Sequence, residues 1–215
     1  MIKAIIFDFD GVILKSTKIK ENGFKYIFRK KYKKFVPAII DHHNKYIGIS
    51  RYKKIKLYFE KIIGIKVKQK TVNKYADEFS KYFLNKIIKC EYIAGVFKFI
   101  IENKDFLLFI SSGTPTEELN YICDQRNILC YFSEIYGSPK TKNLHIKNIK
   151  KKYNLKSNEV IFIGDGISDY KAAKLNKLSF IGINFDKNFI IKNQILINDF
   201  HKIKNIIKKI NEKKR

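Results

Sequence analysis

The sequence predicts an α/β protein in which a doubly wound, Rossmann-like parallel sheet is interrupted by a helical insertion. Residues 2–9, IKAIIFDF, form the short apolar, β-branched run that is typical of a strand buried on both faces. From about residue 94 onward, helical and strand-like segments alternate, as in parallel sheets with crossover helices. Residues 18–89 are helical in pattern. We therefore expect a core of residues 1–14 and 94–215, with residues 15–93 inserted after the first strand.

The individual segments support this organisation. In the insertion, apolar residues recur at helical spacing over 52–64 and 71–88, which predicts the inner faces of a small helical bundle. In the core, apolar runs predict strands at 106–112, 131–137, 159–165 and 178–184. Helices are expected at 95–103, 114–125, 142–154, 168–176 and 201–212. The helix at 114–125 should begin with Thr114 as N-cap, Pro115 in the first turn and Glu117 completing a capping box.

The composition excludes several classes of protein. The chain has 215 residues, of which 45% are hydrophobic, and no internal repeat, so a globular core is expected. No apolar stretch approaches the roughly 20 residues that cross a bilayer, and no signal-peptide pattern is present, so we expect a soluble, cytoplasmic protein without a membrane partner. The amphipathic segment 201–212 could lie on an anionic membrane, but packing on the sheet is the favoured interpretation. Cys90, Cys123 and Cys130 are scattered and indicate neither disulfides nor a zinc site.

The formal net charge of +25 suggests a basic nucleic-acid-binding module as a remote alternative. Only four of the basic residues are arginines, however, and arginine is the better reader of DNA grooves. Residues 15–93 hold 22 Lys and Arg against 6 Asp and Glu, a net charge of +16. A field of this sign attracts small anions. We expect a small phosphorylated substrate and no nucleic-acid partner; the oligomeric state is left open.

Polar residues follow four of the predicted strands, at the edge of the sheet where open α/β folds bind ligands. They are Asp8 and Asp10 after the first strand, Ser111 and Ser112 after the second, Lys140 and Lys142 beyond the third, and Asp165 and Asp169 after the fourth. Two carboxylates about 4 Å apart repel by about 4 kcal/mol at an effective dielectric near 20. Such a cluster needs a cation, and oxygen ligands without His or Cys suit Mg²⁺. With lysine and serine added, the group can neutralise a phosphoryl group.

These residues resemble, in order and spacing, the motifs of the haloacid dehalogenase-like hydrolases. Asp8-Phe9-Asp10-Gly11-Val12 matches the D-x-D-G-V motif of that family, and Ser111, at the end of LLFIS, matches the second motif. A lysine of GSPKTK matches the third, where Lys140 and Lys142 both fit and Lys142 is favoured. The fourth corresponds to Gly164-Asp165-x-x-x-Asp169. The resemblance covers essentially the whole chain, and the helical insertion corresponds to the mobile cap of the family.

The resemblance implies a role for each residue. Asp8 would attack the phosphorus and form an aspartyl-phosphate, and Asp10 would protonate the leaving alcohol and then deprotonate water. Mg²⁺ would be held by the Asp8 carboxylate, the Asp10 backbone carbonyl and Asp165, with Asp169 as a further ligand or as the residue that orients the lysine. The phosphoryl oxygens would be bound by Ser111, by the backbone amides of Gly11, Val12 and Ser112, and by Gly113, while the lysine offsets their charge.

Within the insertion, the stretch IGISRYKKI resembles the loop that contacts the distal part of the substrate in the phosphatase and hexose-phosphate mutase branches. Arg51 is the matching residue and could clasp a carboxylate or a second phosphate; the alternative is a solvated residue at a helix start. His42 and His43 are expected to be structural or solvated. His145 and His201 have no evident partner, and we expect no role for them.

Two positions favour one activity within the family. Asp10 favours phosphoryl transfer, because the dehalogenases lack a second aspartate, and Lys20 stands where the mutase branch carries a histidine. The sequence therefore predicts a Mg²⁺-dependent phosphatase of a small metabolite, phosphoglycolate-like or a sugar phosphate. A hexose-phosphate phosphomutase is the alternative. No motif in the cap selects the substrate itself.

Overall fold

The α/β prediction is confirmed by the computed structural model, which describes residues 1–103, 105–184 and 194–212. Within these residues the strands are β1 (Ala4–Phe7), β2 (Leu107–Pro115), β3 (Glu134–Ser138), β4 (Val160–Gly164), β5 (Ser179–Ile183) and β6 (Ile195–Ile197). The helices are α1 (Thr17–Phe28), α2 (Val36–Lys45), α3 (Arg51–Leu57), α4 (Gln69–Ile88), α5 (Val96–Glu102), α6 (Thr116–Gln125), α7 (Lys142–Lys152), α8 (Ile167–Leu175) and α9 (Ile203–Glu212). All strand pairs are parallel, in the order β3-β2-β1-β4-β5-β6.

This strand order places β1 and β4 side by side in the middle of the sheet. Phe7, the last residue of β1, is in register with Ile110 of β2 and with Ile163 of β4. The residues that follow these three strands therefore emerge at one edge. In sheets of this order the connections on the two sides of β1 run in opposite directions, which opens a crevice for ligands at the carboxyl ends of the strands.

The central strands are buried because both of their faces are apolar. Every residue of β1 and β4 is buried. On one face, Phe7 packs against Phe99 of α5 and against Phe200, with ring centroids 6.2 and 6.1 Å apart. The isoleucine stripe of α9 joins the same core, as predicted for the last helix. No helix among the described residues is long and apolar enough to cross a membrane.

Helices α1 to α4, which we call the helical insertion, pack around an aromatic core of their own. The ring of Phe24 lies 4.8 Å from that of Phe79, and the ring of Phe28 lies 5.5 Å from that of Phe59. Helix α3 continues as a π-helical segment, Tyr58–Ile63. The predicted boundaries of the insertion as a separate domain, residues 15–93, stay a prediction, and the core range 94–215 includes positions outside the described residues.

The structure differs from the predicted elements at β2 and α6, at β6, and at β3, which begins at Glu134 and not at residue 131. Strand β2 runs on to Pro115, with a register shift between Ser111 and Pro115, and α6 begins only at Thr116. The predicted N-cap at Thr114 is wrong, because its hydroxyl bonds Asp10 instead and α6 has no side-chain cap. Strand β6 was not predicted. It has only three residues, which is too short for an apolar pattern to stand out.

Candidate active site

Three buried aspartates meet at the carboxyl edge of the sheet. Asp8 follows β1 directly, Asp165 follows β4, and Asp169 lies in the first turn of α8. One oxygen from each carboxylate lies within 4.8 Å of the others. Their exposed fractions are 2%, 6% and 0%. The strand ends thus bring together the carboxylates that the sequence predicted to share one cleft.

Lys142 lies in this cluster and Lys140 does not. Lys142 is the first residue of α7, and its Nζ lies 2.9 Å from Asp8 Oδ2 and also bonds Asp169 Oδ1. Burial alone would lower the pKa of Lys142, but Asp169 and Asp8 outweigh burial and raise it. The ammonium is therefore charged near neutral pH. Lys140 is exposed.

Lys142 alone does not balance the negative charge of the three carboxylates. Burial raises the pKa of Asp8 to about 7, against the lowering effect of Lys142 and with a further contribution from Asp169. Burial, followed by the charges of Asp8 and Asp169, raises the pKa of Asp165 well above its ordinary value. Asp165 Oδ1 is buried and has no hydrogen-bond partner among the described residues. A buried carboxylate oxygen without a donor, beside two further carboxylates, fits a hard divalent cation such as Mg²⁺.

Asp169 makes a different set of bonds from Asp165. Its Oδ1 accepts from Lys142, and its Oδ2 accepts from the backbone amide of Gly166 at 3.1 Å. Both oxygens are thus engaged within the protein. Of the two roles predicted for Asp169, these contacts favour orienting the lysine.

Asp10 is held at the boundary between the core and the helical insertion. Ser16 Oγ donates to its Oδ1 at 2.7 Å, while Thr114 Oγ1 donates to its Oδ2 at 3.2 Å. Lys20 of α1 donates to the same Oδ2 and, at 3.1 Å, to Thr114 Oγ1. Lys20, which stands where we expect a histidine in a mutase, therefore places a cation directly on Asp10.

The turn after β1 explains why Asp8 and Asp10 can both approach one site. Gly11 has φ +81°, a left-handed conformation that favours glycine, and an ideal Cβ there would lie 2.1 Å from Asp165 Oδ2. Its amide donates to the Leu14 carbonyl at 2.8 Å. Val12 is fully buried. Gly11 and Val12 thus build the turn, and their predicted contact with phosphoryl oxygens stays a prediction.

Ser111 is placed beside the cluster, but its hydroxyl already has a partner. Ser111 Oγ lies 2.8 Å from His145 Nδ1, and His145 Nε2 lies 3.1 Å from the Gly137 carbonyl oxygen. Because that carbonyl can only accept, Nε2 carries the proton and Nδ1 accepts from Ser111. Burial lowers the pKa of His145 to about 4, so the ring is neutral at pH 7. The expectation that His145 has no partner is wrong. His145 lies one helical turn after Lys142 in α7, and this places its ring against Ser111, a contact that sequence spacing could not show.

A cavity of about 270 Å³ lies between the cluster and the helical insertion. The core contributes Asp8, Asp10, Ser112, Gly113 and Thr114 to its wall. The insertion contributes Thr17, Lys18, Lys20, Glu21, Phe24, His43, Asn44, Ile47, Gly48, Ile49, Arg51, Lys54 and Phe79. Ser112, Gly113 and Arg51, which we expect to bind substrate, therefore line the same cavity as Asp8 and Asp10.

The loop of residues 46–50, between α2 and α3, closes the cavity against the core. Gly48 has φ +80°, and an ideal Cβ there would lie 2.3 Å from Ser168 Oγ and 3.2 Å from Lys142 Nζ. A Cβ on Gly113 would lie 2.8 Å from the Gly48 carbonyl oxygen. Ser168 Oγ also donates to the Ile47 carbonyl at 3.0 Å. Backbone approaches this close leave no space for a side chain between loop and core.

Arg51 lines the cavity, but its guanidinium is already paired. It bonds Glu118 of α6, donates to Ser80 Oγ of α4 at 2.6 Å, and lies 4.6 Å from the ring centroid of Phe79. Glu118 also accepts from Ser80 Oγ at 2.7 Å. The ion pair joins the insertion to the core. The predicted contact of Arg51 with substrate stays a prediction.

The sequence did not single out Lys54, and His43, which we expect to be structural or solvated, is buried beside it. Both are buried in the cavity wall, and Lys54 Nζ lies 2.9 Å from His43 Nδ1. A signal was available in the helical spacing. Arg51, Lys54, Ile55 and Tyr58 fall at i, i+3, i+4 and i+7, so two basic residues stand on the face that the isoleucine and tyrosine mark as buried.

Fold and site together define a protein with a parallel α/β sheet, a helical insertion after the first strand, and buried aspartates and a lysine at the carboxyl edge of the sheet. The family model of the haloacid dehalogenase-like hydrolases matches residues 5–183. The chain therefore belongs to the haloacid dehalogenase-like hydrolases, a family of enzymes, and the predicted resemblance is confirmed. No curated protein matches the chain significantly in sequence.

Solved structures share this fold over nearly the whole chain. One is a predicted phosphoglycolate phosphatase from Haemophilus somnus, with 18% identity, TM-score 0.75 and coverage of 96% of this chain and 98% of that one. Another is a β-phosphoglucomutase from Clostridium difficile, with 20% identity, TM-score 0.76 and coverage of 99% and 98%. A third is a hydrolase of this family from Bacillus subtilis bound to magnesium, with 14% identity, TM-score 0.69 and coverage of 96% and 99%. At these identities the likeness establishes the fold.

Proposed function

We propose that this protein is a Mg²⁺-dependent phosphatase that hydrolyses a small phosphorylated metabolite through an aspartyl-phosphate on Asp8. The observation that carries the proposal is the buried pair of Asp8 and Lys142, with Nζ 2.9 Å from Oδ2, at a cavity that Asp10 also lines. A nucleophilic carboxylate needs a cation beside it to accept a dianionic phosphoryl group. Asp10, two residues on, supplies a second carboxyl group for proton transfer.

The reaction follows from the roles of these side chains. A carboxylate oxygen of Asp8 forms a bond to phosphorus, and the bond from phosphorus to the substrate alcohol breaks. Asp10, in its protonated form, gives its proton to the leaving oxygen. A water molecule then attacks the phosphorus of the aspartyl-phosphate, Asp10 takes a proton from that water, and inorganic phosphate leaves while Asp8 is restored. Lys142 offsets negative charge in both steps, and Asp169 keeps the ammonium in place.

The proposed Mg²⁺ site consists of the Asp8 carboxylate, the Asp10 backbone carbonyl and Asp165, with Asp169 as a further candidate ligand. The unpartnered Oδ1 of Asp165 supports the choice, since its burial otherwise has no compensation. When bound, Mg²⁺ supplies positive charge that balances the phosphoryl group and the clustered carboxylates.

We further propose that residues 15–93 act as the cap of the active site. The cavity is lined from both sides, and the loop of residues 46–50 contacts the core at Gly113 and Ser168. A closed site of this kind excludes bulk water from the aspartyl-phosphate until the attacking water is positioned. We expect the substrate to be a free small molecule, with no nucleic-acid partner and a cytoplasmic location.

Phosphate release from p-nitrophenyl phosphate and a panel of phosphorylated sugars and acids, with and without Mg²⁺, tests the proposal. Asp8→Asn should reduce release to background because the nucleophile is gone. Asp77→Asn, on the exposed side of α4, is the matched control and should keep full activity. Borohydride reduces an aspartyl-phosphate to homoserine with loss of phosphate, so mass spectrometry of the acid-quenched and reduced enzyme should find homoserine in place of Asp8.

Three results would contradict the proposal. The first is no phosphate release from any phosphomonoester with Mg²⁺, and the second is unchanged release by Asp8→Asn. The third is isomerisation of a hexose phosphate that depends on a catalytic bisphosphate, which would identify a phosphomutase.

A further inference from the structure

The cations of the cavity wall differ in whether they have a carboxylate partner. Lys18 lies 2.8 Å from Glu21, Lys20 bonds Asp10, and Arg51 bonds Glu118. Lys54 has no carboxylate within 4.0 Å among residues 1–103, 105–184 and 194–212. It is nevertheless buried, with 2% of its surface exposed. Lys54 is thus the cation of the described wall that lacks a counterion.

The partners that Lys54 does have are neutral acceptors. Its Nζ donates to His43 Nδ1 at 2.9 Å and to the His43 carbonyl oxygen at 3.2 Å. Burial, and then the charge of Lys54, lower the pKa of His43 to about 2, so the imidazole carries no charge. An ammonium has three hydrogens, and these two bonds use two of them. One donor remains for a group in the cavity.

The electrostatic surroundings make this cation costly in the absence of a ligand. Burial, and then the charge of Lys20, lower the pKa of Lys54 to about 7, while Asp165 acts in the opposite direction. A group that gives up its proton this readily would regain it beside an anion. The wall therefore holds a positive centre that an anionic ligand stabilises.

We propose that Lys54, positioned by His43, is a specificity-determining residue that binds a second anionic group on the substrate, separate from the phosphoryl group that reacts at Asp8. The inference rests on the proposed phosphatase function and narrows its substrate class. The substrate is then a small phosphomonoester whose alcohol part carries a carboxylate or another phosphate. Because the cavity holds about 270 Å³, the alcohol part is short.

The geometry assigns this task to Lys54 rather than to Arg51. Both side chains line the cavity, but the guanidinium of Arg51 is committed to Glu118 and Ser80. A ligand anion at Arg51 would compete with a buried carboxylate. At Lys54 it would meet a free donor and no carboxylate within ion-pair distance among the described residues.

Paired substrates that differ only in the second anion provide the test. In one arm, 3-phosphoglycerate is compared with glycerol 3-phosphate; in the other, propane-1,3-diol bisphosphate is compared with the monophosphate. The first arm reports on a carboxylate and the second on a phosphate. The enzymes are wild type, Lys54→Met, Lys54→Arg and Lys56→Met, in which the last replaces an exposed lysine of the same helix.

The wild-type enzyme should prefer the doubly anionic member of at least one pair. In Lys54→Met, kcat/KM for that member should fall about 10- to 100-fold, as expected for loss of a charge-assisted hydrogen bond, and mainly through KM. The value for the neutral member should change less than about threefold. Lys54→Arg should keep most of the preference, and Lys56→Met all of it.

A second measurement separates recognition from a structural role. Without ligand, Lys54→Met removes a buried charge but also leaves Nδ1 and the carbonyl oxygen of His43 without a donor, so its thermal midpoint serves to compare folded fractions and the ratio of kcat/KM values decides. An equal loss of kcat/KM for both members of each pair would overturn the inference. If Lys54→Met does not fold, Lys54→Gln can be tested in its place by the same ratio of kcat/KM values for the doubly anionic and singly anionic members of each pair. If wild type hydrolyses both members of each pair equally well, the role of Lys54 is overturned while the phosphatase proposal stands. If wild type hydrolyses none of the four substrates, the result counts against the proposed phosphatase function itself.

Discussion

The ion pair between Arg51 and Glu118 is expected to stabilise the closed arrangement of the helical insertion on the core. The two side chains come from α3 and α6, and 5% and 9% of their surfaces are exposed. Ser80 bridges them, since its Oγ accepts from Arg51 at 2.6 Å and donates to Glu118 at 2.7 Å. The guanidinium also lies 4.6 Å from the centroid of Phe79. Replacing Arg51 by Met removes the contacts of the guanidinium with Glu118, Ser80 and Phe79 but keeps an apolar stem.

The expected cost follows from what is left behind. Removing one partner of a buried pair destabilises a protein by about 3–5 kcal/mol, because the other charge stays buried without compensation. Glu118 keeps the Ser80 hydroxyl as a donor, so we expect the lower end, about 3 kcal/mol. For a chain of this size, that corresponds to a drop in the thermal midpoint of about 6–12 °C. Glu118→Gln should cost less, because the amide can still accept a hydrogen bond.

A double-mutant cycle isolates the pair. Urea unfolding of wild type, Arg51→Met, Glu118→Gln and the double variant, followed by circular dichroism, gives the four free energies of unfolding. We expect a coupling energy of about 2 kcal/mol. A coupling energy below about 0.5 kcal/mol would refute the reasoning, because the pair would then contribute no more than an exposed one. If Arg51→Met raises KM far more than Glu118→Gln at equal folded fraction, Arg51 contacts substrate after all.

Four further outcomes are expected. Lys142→Met should lower kcat by about 10²–10³-fold, as loss of a charge-stabilising donor does, whereas Lys140→Met, at an exposed site, should change it less than about threefold in the same phosphate-release assay. His145→Leu leaves the Ser111 hydroxyl without its acceptor and should cost about 1–3 kcal/mol in urea unfolding; His201→Leu, at an exposed position, should cost nothing, and equal costs would contradict the Ser111 bond. Mg²⁺ should raise the thermal midpoint of wild type and, since it binds the folded state, leave Asp165→Asn unchanged; an equal rise in both would contradict the site. Burial, and then the charge of Lys20, lower the pKa of Lys54 in the folded chain to about 7, against the opposite effect of Asp165. Between pH 7 and 10 the unfolded chain therefore keeps a proton on Lys54 that the folded chain has lost, and wild type should gain stability relative to Lys54→Met as the pH rises through this window. A constant difference in stability would refute the low pKa.

The sequence predicted those parts of the site that depend on strand ends. Asp8 and Asp165 follow buried strands of a parallel sheet, and the carboxyl ends of such strands meet at one edge whatever the side chains elsewhere do. Their proximity therefore follows from the alternation of elements alone. The choice between Lys140 and Lys142 has another basis. It depends on the start of α7, where Thr141 is the N-cap and accepts from the Leu144 amide, and both lysines fit the motif.

Contacts between distant helices could not be predicted, because no local pattern specifies them. Glu118 stands 67 residues after Arg51, and only the packing of the insertion on the core makes them partners. The bond from Ser111 to His145 likewise joins residues 34 positions apart. The error at Thr114 has the same origin. Its local sequence has the form of a capping box, but a tertiary partner, Asp10, takes the hydroxyl that the cap would have used.

The polar residues buried in the helical insertion point to a common physical explanation. Lys20, His43, Arg51 and Lys54 occupy positions where an apolar side chain would stabilise the helices at lower cost, since each charge or ring must be removed from water. Ion pairs with Asp10 and Glu118 of the core offset this desolvation cost for Lys20 and Arg51, so both pairs exist only while the insertion lies on the core. Lys54 forms no such ion pair among the described residues. An anion in the cavity would complete the set, and binding of such a ligand would then stabilise the same closed arrangement in which Asp8 and Asp10 face it.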